Sequence, residues 1–332
     1  MAPGSGDPQD GADKYKTAPD AKHLLDMIGK DVYDEVHKKD ANYRGKLYGR
    51  LSKATYPKDE RRRDSTSSNP CNIIYGYHTN VTKGHGRDNP CKDRWEIRFS
   101  DKYGGQCTNS KIHGNELKNG KDVGACAPFR RLHLCDHHLS HMQADKIDNT
   151  HNLLLEVCYA AKYEGKSLVE KHKEYKQQNN DSNTDICTVL ARSFADIGDI
   201  IRGKDLFVGY NEIDREQKKK IQDNLKDIFG KIYKELTTTN GENGKNAEEL
   251  KARYEDATGN YFQLREDWWD ANRKKVWDAI TCKANDGDKY FRDACSGGKT
   301  PNQGRCRCVT DVPTYMDYVP QFVRWFEEWA ED

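Results

Sequence analysis

The chain has 332 residues, of which 55 are basic and 54 acidic, so its formal net charge is only +1. Bulk charge is therefore not expected to capture nucleic acid or an anionic membrane. The mean hydropathy of −1.06 is low, but 10% of the residues are aromatic, so a core rich in aromatic side chains can form. No apolar run approaches the roughly 20 residues of a membrane span, and the N-terminus lacks the basic and apolar regions of an ordinary signal peptide.

The cysteine content is the most informative number, because 11 cysteines is an odd count. Cross-links stabilise a polar chain strongly. The sequence contains no CxxC pair, the usual spacing of zinc ligands, so a disulfide framework is expected. Cys306 and Cys308 are too close to bridge each other without strain and should reach two different partners. One thiol is left over, and we expect truncation of the chain to have removed its partner. The disulfide candidates are Cys71, Cys91, Cys107, Cys126, Cys135, Cys158, Cys187, Cys282, Cys295, Cys306 and Cys308.

The N-terminal part divides into three segments by composition. Residues 1 to about 20 are polar, and residues 21–39 then place apolar side chains at helical spacing, including Leu25, Ile28 and Val32. This helix has no core of its own and should dock on the rest of the chain. A charged, Ser-rich loop follows and ends at Pro70. Residues 71–131 then hold four cysteines with little periodicity, which indicates an irregular, disulfide-held subdomain.

The second half predicts a helical bundle stapled by disulfides. One long helical region includes Leu139, Leu154 and Tyr163, and the pattern at 217–236 follows amphipathic helical spacing closely. Trp268, Trp269 and Trp277 are expected to anchor the core. Further helices are predicted at 188–201, 248–258, 261–282 and 315–332.

Two motifs suggest chemistry but fit it poorly. SGGKT at 296–300 resembles a phosphate-binding loop, but Asp293 stands where its first glycine belongs. His133, His137, His138 and His141 could hold a metal ion for a hydrolase, but the Glu of the metalloprotease pattern is missing. We therefore expect surface or capping histidines, no catalytic residue, no metal and no cofactor.

Three basic clusters are the more useful candidates for binding. Each could be a solvated face, but on a neutral body they could also hold sulfated glycans through charge-assisted contacts. The glycan-binding candidates are Arg61, Arg62 and Arg63, then Lys218, Lys219 and Lys220, and finally Arg273, Lys274 and Lys275.

Four sequence blocks carry a family resemblance. They are CAPFRRLHLC (126–135), LARSFADIGDIIRGKDLF (190–207), REDWWDANRKKVWDAITC (265–282) and VPTYMDYVPQFVRWFEEWAED (312–332). These blocks resemble the Duffy-binding-like alpha domain of the variant erythrocyte membrane protein 1 family of Plasmodium falciparum, preceded by its N-terminal segment. The resemblance runs to the last residue.

The resemblance implies a mainly α, disulfide-bridged domain with an irregular N-terminal subdomain. Its parts would be the N-terminal segment (1–70), subdomain 1 (71–130), the helical subdomain 2 (131–295) and a truncated start of subdomain 3 (296–332). On this reading the unpaired thiol is Cys306, Cys308 or a neighbour. The resemblance also implies a non-enzymatic adhesin on the surface of the infected erythrocyte, whose transmembrane segment lies outside this sequence.

Three hypotheses of function follow. The first is rosetting adhesion to erythrocytes through heparan sulfate-like or blood-group glycans or complement receptor one, with the basic clusters contacting the anions. The second is a domain that binds a host protein through exposed aromatic side chains without glycan recognition. The third, a metal-dependent hydrolase at the histidine cluster, has the least support. Neither nucleic acid nor membrane insertion is expected for this part of the chain.

Overall fold

The computed structural model describes residues 14–37, 43–55, 67–74, 79, 90–91, 98–99, 105–179, 185–238 and 247–331. Helices dominate these ranges, and one short hairpin pairs β1 (Glu116–Lys118) with β2 (Lys121–Val123) in antiparallel register. The helices are α1 (Ala21–His37), α2 (Arg44–Leu47), α3 (Phe129–Leu132), α4 (His137–Ser140), α5 (Thr150–Asn179), α6 (Ile186–Arg202), α7 (Glu212–Thr237), α8 (Ala247–Tyr254), α9 (Phe262–Ile280) and α10 (Gln321–Glu331).

The core lies where α5, α6 and α9 pack together. Every side chain of α6 is buried, and the helix has a defined start and end: the Asp185 side chain accepts a hydrogen bond from the amide of Cys187, and Gly203 ends the helix in the left-handed conformation. Trp268, Trp269 and Trp277 of α9 are fully buried, which confirms their predicted role as core anchors.

The long helical region predicted to include Leu139 and Tyr163 is divided in the structure. The structure has the short α4 and the long α5 instead, because Asn149 caps a new helix: its side-chain oxygen accepts from the amides of His151 and Asn152. The last predicted helix begins later than expected, at Gln321 directly after Pro320.

The N-terminal helix α1 docks on the body with only part of the face that its apolar spacing predicts. Leu25 is buried, but Val36 is 53% exposed, and Asp26, Gly29 and His37 are buried as well. The Asp26 carboxylate accepts hydrogen bonds from the guanidinium of Arg292 at 2.8 Å and from the amide of Tyr315 at 2.6 Å. A polar anchor and a close helix approach therefore add to the hydrophobic contact of Leu25.

Five disulfides staple the fold, and they pair Cys71 with Cys282, Cys91 with Cys135, Cys107 with Cys126, Cys187 with Cys306 and Cys295 with Cys308. Cys306 and Cys308 do reach two different partners, as predicted. The prediction that one of them or a neighbour carries the unpaired thiol is wrong, since the free cysteine is Cys158. Cys158 lies buried in α5 among core side chains, so it has no place in the disulfide framework.

The subdomain boundaries at 70, 130 and 295 stay predictions. Within the described residues, Cys306, Val312 and Met316 belong to the same hydrophobic core as α5, α6 and α9. None of the described helices is both long enough and apolar enough to cross a bilayer.

Candidate receptor-binding surface

Helix α10 buries its charged side chains and exposes aromatic ones, which is the reverse of an ordinary amphipathic helix. Arg324 donates to Asp196 at 2.9 Å and also to Asp199, both on α6. The Glu327 carboxylate accepts from Arg192 at 2.7 Å, and Glu328 accepts from Arg130 at 2.8 Å. The helix is thus held to α6 and α3 by ion pairs that water does not reach.

The ion pairs keep this buried interface charged. Burial alone would raise the pKa of Asp196, but the guanidinium groups of Arg130 and Arg324 outweigh burial and hold that pKa at about 2. Burial alone would lower the pKa of Arg324, but the carboxylates of Asp199 and Asp196 raise it. Removing one partner would leave an uncompensated charge in the interior, so the pairs fix the rotation of α10 about its axis.

This rotation turns three aromatic side chains of α10 outward. Phe322, Phe326 and Trp329 are 53%, 75% and 36% exposed, at the i, i+4, i+7 spacing of one helix face. Between them, Trp325 is fully buried in a small second core. The three exposed aromatics and the buried Trp325 therefore lie on different faces of α10.

The three aromatics form one wall of a groove of 1040 Å³. The Cys107–Cys126 disulfide, the loop glycines Gly105, Gly114 and Gly124, and Leu206 also line the groove. The indole nitrogen of Trp329 donates to the carbonyl of Cys126 at 2.9 Å, which ties α10 to the disulfide-bridged loop. Among the described residues, none that lines the groove is Asp, Glu, Lys or Arg, although such residues make up 33% of the chain. We call this surface the aromatic groove.

Two of the predicted glycan-binding residues are internal. Lys218 is buried, and its ammonium pairs with the carboxylate of Asp136. Arg273 is buried too, and it donates to both carboxylate oxygens of Asp317 at 2.6 and 2.8 Å. Their assignment to a glycan surface is therefore wrong, because a cation that holds an internal carboxylate cannot reach an external sulfate.

The remaining members of these clusters are dispersed. Lys219 pairs with Asp223 at 2.6 Å and Lys274 with Asp278 at 2.5 Å, each one helical turn away. Lys220 is exposed, and Lys275 is only partly exposed. The exposed side chains of α7 carry both signs equally: Arg215, Lys219, Lys220, Lys226 and Lys234 against Glu212, Glu216, Asp223, Asp227 and Glu235. Arg61, Arg62 and Arg63 lie outside the described residues.

The residues of the histidine cluster and of the phosphate-loop motif also make contacts within the fold. His138 is buried with Nε2 2.7 Å from Glu156, so the prediction of a surface or capping histidine is wrong for this residue. The rings of His137 and His141 pack at 4.6 Å. In the loop 296–300, the amides of Gly298, Lys299 and Thr300 all donate to the carbonyl of Cys295. Those amides are therefore unavailable for a phosphate. In the described part of the chain, the one group with metal-ligand spacing is Cys295, Cys308 and Asp311, and its two sulfurs are joined in a disulfide.

Comparison with known proteins identifies the fold. The model of the Duffy binding domain matches residues 124–324, and that of the N-terminal segments of PfEMP1 matches residues 20–55. The solved NTS-DBL1-alpha and CIDR-gamma double domain of PfEMP1 from the Plasmodium falciparum varO strain is 39% identical, with a TM-score of 0.77 over 94% of this chain and 43% of that one. The NTS-DBL1 domain of the same strain is 37% identical, with a TM-score of 0.71 over 94% of this chain and 61% of that one.

More distant relatives share the domain. A PfEMP1 DBLβ domain solved bound to human ICAM-1 is 26% identical, with a TM-score of 0.65 over 95% of this chain and 62% of that one. The Duffy receptor beta form of Plasmodium knowlesi is 25% identical over 68% of this chain, which spans 16% of that receptor. Since the domain match covers more than half of the 332 residues, the chain belongs to the Duffy binding domain family, with a PfEMP1-type N-terminal segment ahead of the domain.

Proposed function

We propose that this chain is a non-enzymatic adhesion module, displayed on the surface of the infected erythrocyte, that binds a host protein receptor. The observation that carries the proposal is the outward aromatic face of α10, formed by Phe322, Phe326 and Trp329. Buried aromatic anchors dominate the energetics of protein interfaces, and uncharged lining suits the desolvated centre of such an interface. The aromatic groove supplies both.

The relatives support the same class of function. Two solved PfEMP1 DBLβ domains, 26% and 27% identical to this chain, are bound to ICAM-1. The curated relatives are named as Duffy receptors of Plasmodium knowlesi and Plasmodium vivax. Receptor binding on this common fold makes a host protein the preferred partner of the aromatic groove. The absence of catalysis is part of the proposal, and it is supported by the contact of His138 with Glu156 and by the disulfide of Cys295 with Cys308.

The glycan alternative has less support at the residues first chosen for it. Lys218 and Arg273 hold internal carboxylates, so heparan sulfate capture by their clusters is not proposed. Blood-group glycans and complement receptor one, which the family resemblance implies in rosetting, remain receptors to be tested against the groove. A protein receptor seated on apolar surface should bind almost independently of salt, whereas a polyanion should not.

The test is a double substitution, Phe322→Ala with Phe326→Ala. The native protein and the variant, each carrying a fluorescent label, are compared for binding to erythrocytes and to immobilised ICAM-1. We expect at least a tenfold loss of binding to the surface that carries the receptor. The matched control is Ile213→Ala with Val309→Ala, since both side chains are 69% exposed and neither lines the groove. Unchanged binding by the aromatic variant, with an unchanged midpoint of thermal unfolding, would refute the proposal.

A further inference from the structure

The disulfide between Cys71 and Cys282 lies at the surface, where residues 67–74 meet the end of α9. Both cysteines are partly exposed, whereas the cysteines of three of the other four disulfides are buried. The remaining bond, Cys107–Cys126, is partly exposed as well and lines the aromatic groove. Two disulfides are thus open to a small molecule in solution, and they differ in the charges around them.

A guanidinium lies beside the sulfurs of the Cys71–Cys282 bond. Nη2 of Arg307 is 3.3 Å from Sγ of Cys71 and 3.8 Å from Sγ of Cys282. The guanidinium is held in this position by the hydroxyl of Thr281, which accepts from Nε at 2.6 Å, and by the backbone carbonyl of Asp278. The protein therefore fixes a positive charge next to this disulfide.

The charge of Arg307 is only partly neutralised by its surroundings. The carboxylate of Asp278 pairs with Lys274 at 2.5 Å, and in the described part of the chain no carboxylate forms an ion pair with Arg307. Burial lowers the pKa of Arg307, and the charge of Asp278 does not fully offset that effect. Cleavage of the disulfide would supply the missing anion, because it leaves a negative charge on one sulfur.

The two sulfurs of this bond are not equivalent. The guanidinium of Arg307 is closer to Cys71, whereas the carbonyl oxygen of Asp278 is closer to Cys282, at 3.2 Å against 3.7 Å from Sγ of Cys71. A cation stabilises a thiolate, and a carbonyl oxygen in contact with the sulfur destabilises it. A thiol of lower pKa is the better leaving group in exchange. Cys71 is therefore the favoured leaving group, and Cys282 is the sulfur to be attacked.

We propose that the Cys71–Cys282 disulfide is a site of thiol–disulfide exchange with a small anionic thiol. The thiolate sulfur of the reagent attacks Sγ of Cys282 and forms a new S–S bond to it. The old S–S bond breaks, and its electron pair stays on Sγ of Cys71 as a thiolate beside Arg307. A second reagent thiolate that attacks the reagent sulfur releases the reagent's own disulfide and leaves both cysteines reduced. The small thiol thus supplies the two electrons.

Further cations favour a reagent that carries negative charge. Lys162 of α5 donates to the carbonyls of Cys71 and Ile73 at 2.7 and 2.8 Å, which brings its ammonium beside the backbone of the first cysteine. Lys283 directly follows Cys282 and is exposed, and burial and then its charge lower the pKa of Lys162. A thiol with carboxylate groups is therefore attracted to this bond, and a cationic thiol is repelled.

Opening this bond would release one segment rather than the whole fold. Ile73 belongs to the main hydrophobic core, and Lys162 holds the carbonyls of Cys71 and Ile73 whether or not the sulfurs are joined. What is lost is the covalent tie from residues 67–74 to the end of α9. The inference does not depend on the proposed adhesion function.

The experiment treats the native protein with glutathione, quenches the reaction with acid and alkylates the free thiols with N-ethylmaleimide. Peptide mass spectrometry then locates the adducts. We expect glutathione on Cys282 and an alkylated Cys71, while Cys107–Cys126 stays intact. The rate should rise in proportion to the glutathione concentration, as direct attack on the folded protein requires. Cysteamine, a cationic thiol, should react about fivefold more slowly at equal thiolate concentration.

The variant Arg307→Gln tests the role of the guanidinium. We expect about tenfold slower exchange at Cys282, because the leaving thiolate loses its cation. The matched control is Arg305→Gln, which removes the same charge from the same loop, since Arg305 is exposed and pairs with Asp286 at 2.5 Å. This control should keep the native rate. The midpoint of thermal unfolding, measured without thiol, shows whether either variant alters the fold.

Three outcomes overturn the inference. The first is faster reaction at Cys107–Cys126 than at Cys71–Cys282. The second is a rate that does not depend on glutathione concentration, which would show that exchange waits for unfolding. The third is a native rate in Arg307→Gln. If that variant unfolds at a lower temperature, the native protein decides the matter, and cysteamine reacting as fast as glutathione then refutes the inference.

Discussion

The guanidinium of Arg273 on α9 donates two hydrogen bonds to the carboxylate of Asp317, from Nη2 to Oδ1 at 2.6 Å and from Nε to Oδ2 at 2.8 Å. The indole of Trp269 donates to the same carboxylate at 2.8 Å. Burial would raise the pKa of Asp317, but the charge of Arg273 prevails and lowers it. The pair therefore fastens the segment before α10 to the central helix of the core.

The first prediction concerns the free energy of unfolding. Replacing Arg273 by Ala leaves a buried carboxylate without its cation, and we expect a loss of about 3–5 kcal/mol in urea or guanidinium unfolding. The neighbouring Lys274→Ala is the control, since its pair with Asp278 is a helical i,i+4 contact worth about 0.3–0.5 kcal/mol. Similar losses in the two variants would mean that the Arg273 pair does not carry the stability assigned to it.

Acid stability provides the second prediction. The native pKa of Asp196 is about 2, against an ordinary value of 3.8, so this carboxylate favours the folded state above about pH 4. Its contribution is lost as the pH falls through the native pKa, and it amounts to about 2 kcal/mol. The free energy of unfolding should therefore decrease between about pH 4 and pH 2.

The check for Asp196 is a series of denaturant titrations across this range. Asp196→Asn should be less stable than the native protein at pH 7, because Arg130 and Arg324 lose a buried charge partner. The difference between the two proteins should shrink as the pH falls through this window. A constant difference from pH 7 to pH 2 would contradict the assignment.

The odd cysteine leads to the third prediction. Cys158 is buried, its Sγ faces the carbonyl of Lys275 at 3.7 Å, and burial raises the pKa of its thiol. A thiol reagent should therefore find no reactive cysteine in the native protein and one after denaturation without reductant. A rapid reaction in the native state would place the free thiol elsewhere, for example at Cys306 or Cys308.

The helices and their core were predictable because local spacing encodes them. Ile221, Leu225 and Ile228 recur at helical intervals in the sequence, and all three are buried on α7. The paired thiols were not predictable in this way. Their partners lie up to 211 residues apart, as in Cys71 and Cys282, and only the fold brings them together.

The two basic clusters that lie on helices do not form one binding face, for a geometric reason. Consecutive residues on a helix point about 100° apart, so Lys218, Lys219 and Lys220 cannot share one face. Lys218 accordingly points inward to Asp136, while its two neighbours are exposed.

The last prediction tests how the N-terminal helix docks. Gly29 lies so close to the body that a Cβ at this position would sit 2.2 Å from the carbonyl oxygen of Tyr315, a backbone atom that cannot move aside cheaply. Gly29→Ala should therefore displace α1 and release Asp26 from Arg292, although alanine itself favours a helix. We expect faster proteolysis and faster amide exchange in α1, with little change in α6.

The matched control for Gly29→Ala lies in the next helix. Gly45 is also a helical glycine, but nothing lies within 4 Å of the position its Cβ would take. Gly45→Ala should therefore leave α1 protected and raise the stability slightly, by about 0.4–1 kcal/mol. If both variants protected α1 equally, the close approach of α1 to Tyr315 would not be what holds the N-terminal segment in place.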